Sequence, residues 1–332
     1  MARRDLTLDG SSDILWRNTT TGAIGLWDML GGIPSWVPLG ALPTSWRPAL
    51  AGDLNGNGQQ DLVWVRSDAV QELVLPPPSV AFIGQDQVGW WDMTGTAILG
   101  WSELFAYGRE SFSVFGATPT SSFGFMPAQD SLDFTGDGRA DMLVVQRGSF
   151  GVSSFATSVT IHSLAGTTGT TSVTHSAEGW NFLAAADLSG DGTGDILWRN
   201  AGGETGMWIM QQGTPTGWSS FGTIGAEWVV AATGDFSGDG AADVLWRNTL
   251  DGLTGLWDID RLPTDYAARW TALGVVGTQW QVASTGDYDG DGDDDVLWRN
   301  GENGDVGWWG MQGGFIASWN SLGNVATDWQ VV

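Results

Sequence analysis

Six stretches of this chain set oxygen-bearing side chains at alternate positions and end on an aspartate. They span residues 5–13, 53–61, 133–141, 187–195, 235–243 and 287–295. The shared pattern is Asp-x-[Asp/Asn/Ser/Thr]-x-[Asp/Asn]-Gly-x-x-Asp, with Leu8 in the first loop where the others carry glycine. A hard cation such as Ca²⁺ takes six to eight oxygens, and a glycine at the sixth position permits the sharp turn around it. The candidate ligands are Asp5, Asp9 and Asp13; Asp53, Asn55, Asn57 and Asp61; and Asp133, Thr135, Asp137 and Asp141. They continue with Asp187, Ser189, Asp191 and Asp195; Asp235, Ser237, Asp239 and Asp243; and Asp287, Asp289, Asp291 and Asp295. The expectation is up to six Ca²⁺, one per loop. Mg²⁺ fits less well, because it keeps more water. The plainer alternative is a set of Asx turns capped by their own side chains.

Each loop runs into a short apolar strand such as Val296-Leu-Trp-Arg-Asn300, and the unit recurs about every 50 residues. Four β-like segments per unit are separated by Gly, Asn and Thr, the pattern of strands joined by turns. Segment A precedes the loop, B follows it, and C and D complete the unit. Four strands in a repeat of this length predict an all-β propeller blade. Of the 22 tryptophans, all but Trp90 and Trp308 fall at four repeat positions, one per segment. Their first reading is packing between facing sheets, since each ring buries a large apolar area.

The chain ends on an A segment, Trp329-Gln-Val-Val332, and starts on a loop lacking one. The last strand is therefore expected to complete the first blade, closing a ring without free sheet edges. The prediction is one propeller domain over 1–332 with six four-stranded blades, or seven if the long second unit hides another. Two insertions break the repeat, at 67–87 with Pro76-Pro77-Pro78 and at 105–122 with Tyr107, Arg109 and Glu110.

Composition narrows the function. A net charge of −25 disfavours nucleic acid as a partner. There is no cysteine, and no apolar run of the ~18 residues needed to span a membrane. Six Ca²⁺ would bring the charge to roughly −13. The start, Met-Ala-Arg-Arg-Asp, carries no apolar leader.

The acidic loops with their Leu-Trp-Arg-Asn strands resemble FG-GAP/VCBS repeats, the units of integrin-α-like propellers. Tryptophan replaces the phenylalanine-glycine of that family here, and the pattern is similar to a bacterial secreted branch. The resemblance implies calcium loops joining strands A and B on one face, and an extracellular location. Some propellers of this general type are lectins, but the family fixes no activity.

Two places offer a ligand site. Arg17-Asn18, Arg199-Asn200, Arg247-Asn248 and Arg299-Asn300 end B strands next to tryptophans. Indole faces with Arg and Asn donors suit a sugar ring and its hydroxyls. The structural alternative is that Asn shapes the turn and Arg packs on indole. The second place is the break in symmetry, with Tyr107, Arg109 and His162. In the third unit Val144, His162 and Val173 stand where tryptophan stands elsewhere. The primary expectation is a calcium-stabilised binding module for a glycan or other extracellular ligand. An enzyme is the alternative, a glycan lyase, hydrolase or cyclase using Glu72, Asp86, Glu103, Tyr107, Arg109, Glu110 or His162, though no spacing selects a catalytic pair. A protein-interaction or adhesion scaffold is the third reading.

Overall fold

The computed structural model describes residues 5–67, 71–74, 80–83, 85–94, 96–108, 122–124, 132–150, 154–164 and 170–331. All regular structure in them is β apart from one 3₁₀ turn, Leu30–Gly32. The first unit contributes β1 (Ile14–Asn18), β2 (Ala23–Asp28) and β3 (Ser35–Ala41). The second contributes β4 (Trp46–Gly52), β5 (Asp61–Ser67), β6 (Gln71–Val74), β7 (Val80–Ile83), β8 (Gln85–Thr94) and β9 (Ala97–Gly108). The third has β10 (Ser122–Gly124), β11 (Met142–Phe150), β12 (Ser154–Leu164) and β13 (Thr170–Ser176). The fourth has β14 (Trp180–Ala186), β15 (Asp195–Asn200), β16 (Glu204–Gln211) and β17 (Thr214–Thr223). The fifth has β18 (Trp228–Gly234), β19 (Asp243–Asn248), β20 (Leu253–Arg261) and β21 (Tyr266–Val275). The last has β22 (Trp280–Gly286), β23 (Asp295–Asn300), β24 (Asp305–Gln312) and β25 (Phe315–Asn324), followed by β26 (Trp329–Val331).

The strands form antiparallel four-stranded sheets arranged as a propeller. The terminal strand β26 adds to β1, with Asn18 opposite Trp329 and Trp16 opposite Val331. The chain therefore closes its first blade with its last strand.

The expectation of six four-stranded blades, or of seven, is corrected to five blades. Five blades carry tryptophan on all four strands: β26-β1-β2-β3, β4-β5-β8-β9, β14–β17, β18–β21 and β22–β25. The remaining four-stranded sheet, β10–β13, has no tryptophan in its strands. The acidic loops number six units without revealing how each one packs, which is why the loop count predicted six blades. No seventh blade exists among the described residues. The surplus of the second unit goes into a separate β6-β7 ribbon and the long strands β8 and β9.

Packing explains the regular blades. In β19 the run Val244-Leu245-Trp246 is fully buried, because a second strand of a blade is covered on both faces. One face of a blade carries its tryptophans and the other its aliphatic residues. Trp16 and Trp27 of the first blade meet Leu297, Val306 and Trp308 of the last. Within a blade the second- and third-strand rings meet edge to face, at 4.9 Å for Trp16–Trp27 and 4.8 Å for Trp246–Trp257. The first- and fourth-strand rings do the same, at 5.3 Å for Trp36–Trp329 and 5.1 Å for Trp228–Trp270.

A glycine on the third strand makes the second pairing possible. A Cβ on Gly25 or Gly255 would lie 2.3 Å or 2.2 Å from the ring of Trp36 or Trp270. The motif Gly-x-Trp on third strands is therefore a packing signature legible in the sequence.

Candidate functional site

The loops between first and second strands are built on two aspartates each. The opening aspartate turns its carboxylate back onto the loop. Asp287 Oδ1 accepts from the N–H groups of Gly290 and Asp291, at 2.7 Å and 3.0 Å, and Oδ2 from Gly292 at 3.0 Å. Asp53, Asp133 and Asp235 accept from the same three positions. The fifth-position side chain forms an Asx turn, as Asp239 does with Ala241 N–H at 2.9 Å.

The closing aspartate is the buried one. Asp295 Oδ2 accepts from Tyr288 N–H and Oδ1 from Met311 N–H, both at 2.9 Å. It thereby ties the loop to the end of the third strand. Asp13, Asp61 and Asp195 make the same tie to Met29, Met93 and Met210. Burial pushes these carboxyls up: Asp61 and Asp141 to about 6, Asp13 and Asp195 to about 7, Asp243 and Asp295 to about 8. The accepted N–H bonds pull the other way but do not offset the lost hydration.

Successive loops are fastened to one another. The N–H of the eighth position donates to the first-position carbonyl of the loop before it. The bonds are Ala140 to Asp53, Gly194 to Asp133, Ala242 to Asp187, Asp294 to Asp235 and Ser12 to Asp287, at 2.6–3.0 Å. Third-to-fourth-strand turns share this face, as Gly213 N–H donating to Phe134 O shows.

Among the described residues, one group of three carboxylates lies close enough to hold a metal ion. Asp287, Asp289 and Asp295 each place an oxygen within 4.8 Å of the others. Asp287 and Asp295 are buried and Asp289 is exposed. Three carboxylates form an all-oxygen donor set, which suits a hard divalent cation. The other loops have Thr, Asn or Ser at the third position, so they bring fewer carboxylates together.

The structure adds loop partners that the sequence reading missed. The residue after the third-strand tryptophan position reaches the loop in the first three units. Asp28 contacts the Asp9 carboxyl, Asp92 accepts from Asn55 Nδ2 at 3.1 Å, and Ser163 donates to Asp137 at 3.3 Å. The signal available was the pair Trp-Asp at 27–28, 91–92 and 257–258. In the fifth blade Asp258 instead pairs with Arg269.

The Trp-Arg-Asn ends are engaged inside the fold. Arg247 donates to the carbonyls of Val276, Gly277 and Trp280 in the next blade, and its guanidinium lies 5.4 Å from the Trp298 ring centroid. Arg299 donates to Val325 and Ala326 and covers Trp16 at 5.1 Å. Arg199 donates to Gly225 and Trp228, and Arg17 to Pro43. Each arginine thus clamps its blade to the next. Asn18, Asn200, Asn248 and Asn300 accept from N–H groups two residues on and shape the turns after the second strands.

Aromatic surface remains where the sequence reading had placed only core. The fourth-strand Trp36, Trp218, Trp270 and Trp319 are 38–47% exposed at equivalent positions. Of the irregular region, Tyr107 lies in β9 opposite Asp86, and His162 in β12 between Met142 and Ser172. Arg109 and Glu110 lie outside the described residues. The other histidine, His175, bonds through Nε2 to Gly213 O at 2.8 Å, across to the fourth blade. The described residues contain no helix long and apolar enough to cross a membrane.

Residues 133–198, about a fifth of the chain, match the family model described as FG-GAP-like repeat. The match opens on the acidic loop of the β10–β13 sheet and closes on Trp198 in β15, so it takes in two loops and the strands between them. A comparison with curated proteins finds no match.

Proposed function

We propose that this chain is a calcium-stabilised β-propeller binding module whose ligands are carbohydrates. The observation that carries the reading is the half-exposed tryptophan on the fourth strand of four described blades, each held edge to face by a first-strand tryptophan. Rigid indole faces offer apolar area at little entropic cost, which suits the C–H face of a sugar ring. Repetition around one scaffold multiplies weak single-site affinity when a glycan presents several sugars. The all-oxygen set of Asp287, Asp289 and Asp295 supports calcium as the ion. FG-GAP-like repeats occur in extracellular proteins, which fits a calcium-rich setting.

The test is a broad glycan array, run with calcium and again with chelator. Binding is expected with calcium, and Trp270→Ala with Trp319→Ala should weaken it while the fold persists. A calcium-loaded protein that binds no glycan overturns the carbohydrate assignment. Isothermal calorimetry showing no heat with calcium overturns the metal assignment separately.

A further inference from the structure

Neighbouring acidic loops also touch through side chains. The seventh residue of one loop packs on the fourth-position glycine of the loop before it. A Cβ added to Gly136 would lie 3.8 Å from Thr193 Cγ2, and one on Gly190 would lie 3.2 Å from Ala241 Cβ. One on Gly290 would lie 3.4 Å from Ser11 Oγ, and Asp293 covers Gly238 in the same way. On the second loop, 53–61, the residue in this place is Arg139 of the third. A Cβ on Gly56 would lie 2.9 Å from Arg139 Nε and 3.6 Å from its Cζ. Gly56 N–H donates to Asp53 Oδ1 at 2.7 Å. Gly56 thus holds the loop's opening carboxylate on its N–H and has a guanidinium against its α-carbon.

The donor atoms of this loop differ as well. At the third position of the first and fifth loops, Thr7 Oγ1 and Ser237 Oγ are buried without a hydrogen-bond partner. In the last loop that position is Asp289, one of the three close carboxylates. Thr135 in the third loop makes one long bond, to Asp133 at 3.4 Å. Asn55 has both ends of its amide engaged. Its Oδ1 accepts from Asn57 N–H at 3.0 Å, and its Nδ2 donates to Asp92 Oδ1 at 3.1 Å. Asn57 also stands where the other loops have aspartate, so the pattern leaves this loop only Asp53 and Asp61 as carboxylates. Its buried orphan, Gln60 Oε1, is at the eighth position, outside the ligand set. A divalent cation would meet few free oxygens here and the repulsion of a fixed positive charge.

We propose that the second loop takes no metal ion and that the Arg139 guanidinium, supplied by the third loop, is its cation. The inference rests on the calcium reading for the other loops and lowers the expected number of ions to one fewer than the number of loops. Chelation then opens the loop face unevenly, because this corner is held by a charge the chain carries itself.

The experiment follows hydrogen–deuterium exchange of the full chain, peptide by peptide, in calcium and in chelator. Calcium should slow exchange at least ~10-fold in 235–243 and 287–295 and leave 53–61 unchanged. Equal slowing at 53–61 overturns the proposal. A response in no loop overturns the calcium reading instead, and Arg139 is then judged in chelator. There Arg139→Ser should speed exchange at Gly56, Asn57 and Gly58, whose N–H groups Asp53 holds. Unchanged exchange overturns the role of Arg139. The combined variant Asn55→Asp, Asn57→Asp, Arg139→Ser gives the second loop the acidic set of the last loop, with a serine on its glycine as Ser11 is on Gly290. Equilibrium dialysis should count one more Ca²⁺ on it than on the unaltered chain, with calcium now slowing exchange at 53–61. An equal count overturns the proposal, and the comparison in the unaltered chain stands even if this variant fails to fold.

Discussion

In the blade β18–β21, Trp246 is fully buried against Trp257, and Arg247 clamps the unit to the next blade. The sheet β10–β13 has neither ring. It buries Leu143, Val159 and Ile161 against Phe182 and Trp198 of the fourth blade, and joins Thr160 to Thr174 by their hydroxyls at 2.9 Å. Yet both units keep the acidic loop, and both loops are fastened to their neighbours by the same backbone bonds. The loop face is therefore the constant part of the propeller, while the packing between sheets varies. The divergent sheet also keeps its aliphatic face toward the next blade. What it lacks is the tryptophan face, which in regular blades meets the preceding one.

On the proposed calcium reading, chelation should have the largest effect and act on both kinds of unit, since both keep the loop. A loop that binds the ion and is filled at 100 times its Kd would lose about 2.7 kcal/mol of stabilisation on chelation. The loss should grow with pH. The closing aspartates have folded-state pKa values raised to about 6–8, so the metal-free fold holds protons more tightly than the unfolded chain. That contribution is full below the unfolded value near 3.8 and is lost as pH rises through 6–8. In chelator, thermal scans should show a lower Tm at pH 8 than at pH 5. Calcium should flatten or reverse the trend by replacing the proton. A chelated Tm that rises toward pH 8 would contradict this.

Next in size is the closing aspartate itself. Asp295→Ala leaves two buried N–H groups unpaired, one on a different strand, and should cost about 2–6 kcal/mol. Asp141→Ala releases only loop N–H groups, of Phe134 and Thr135, and should cost less. Urea denaturation of the two variants measures the difference, and equal losses would erase the distinction between the units.

Trp246→Ala should cost about 3–5 kcal/mol, against about 0.5–1.5 kcal/mol for Ile161→Val in the divergent sheet. Between these, Arg247→Met should cost about 1.5–3 kcal/mol, the range for hydrogen bonds to a charged group. That variant should leave glycan binding intact. A loss of binding without a loss of stability would instead return Arg247 to the ligand site.

The repeat was readable because its parts are local. Loop spacing, the glycine at position six and the tryptophan register each lie within a few residues, so β strands, turns and ring closure by Trp329 followed from sequence. The structure corrected the number of blades, because the acidic loop persists in a unit whose strands carry no tryptophan. Asp28 and Asp92 were not legible as loop partners, since the contacts span 19 to 37 residues and two intervening turns. The arginines showed the reverse problem. Arg beside Trp is a pattern that fits a sugar site or an inter-blade clamp equally well.

By itself, then, the sequence determined what depends on neighbours along the chain: four-stranded repeats, oxygen-rich loops and the order in which the ring is closed. Only the tertiary structure decided what depends on neighbours across it. It buried the second-strand tryptophans while leaving fourth-strand ones half exposed, spent the arginines on carbonyls of the next blade, and brought Asp287, Asp289 and Asp295 within reach of one ion. The physical reason is that a side chain's exposure and partners are set by the blade facing it, and local spacing does not encode that facing surface.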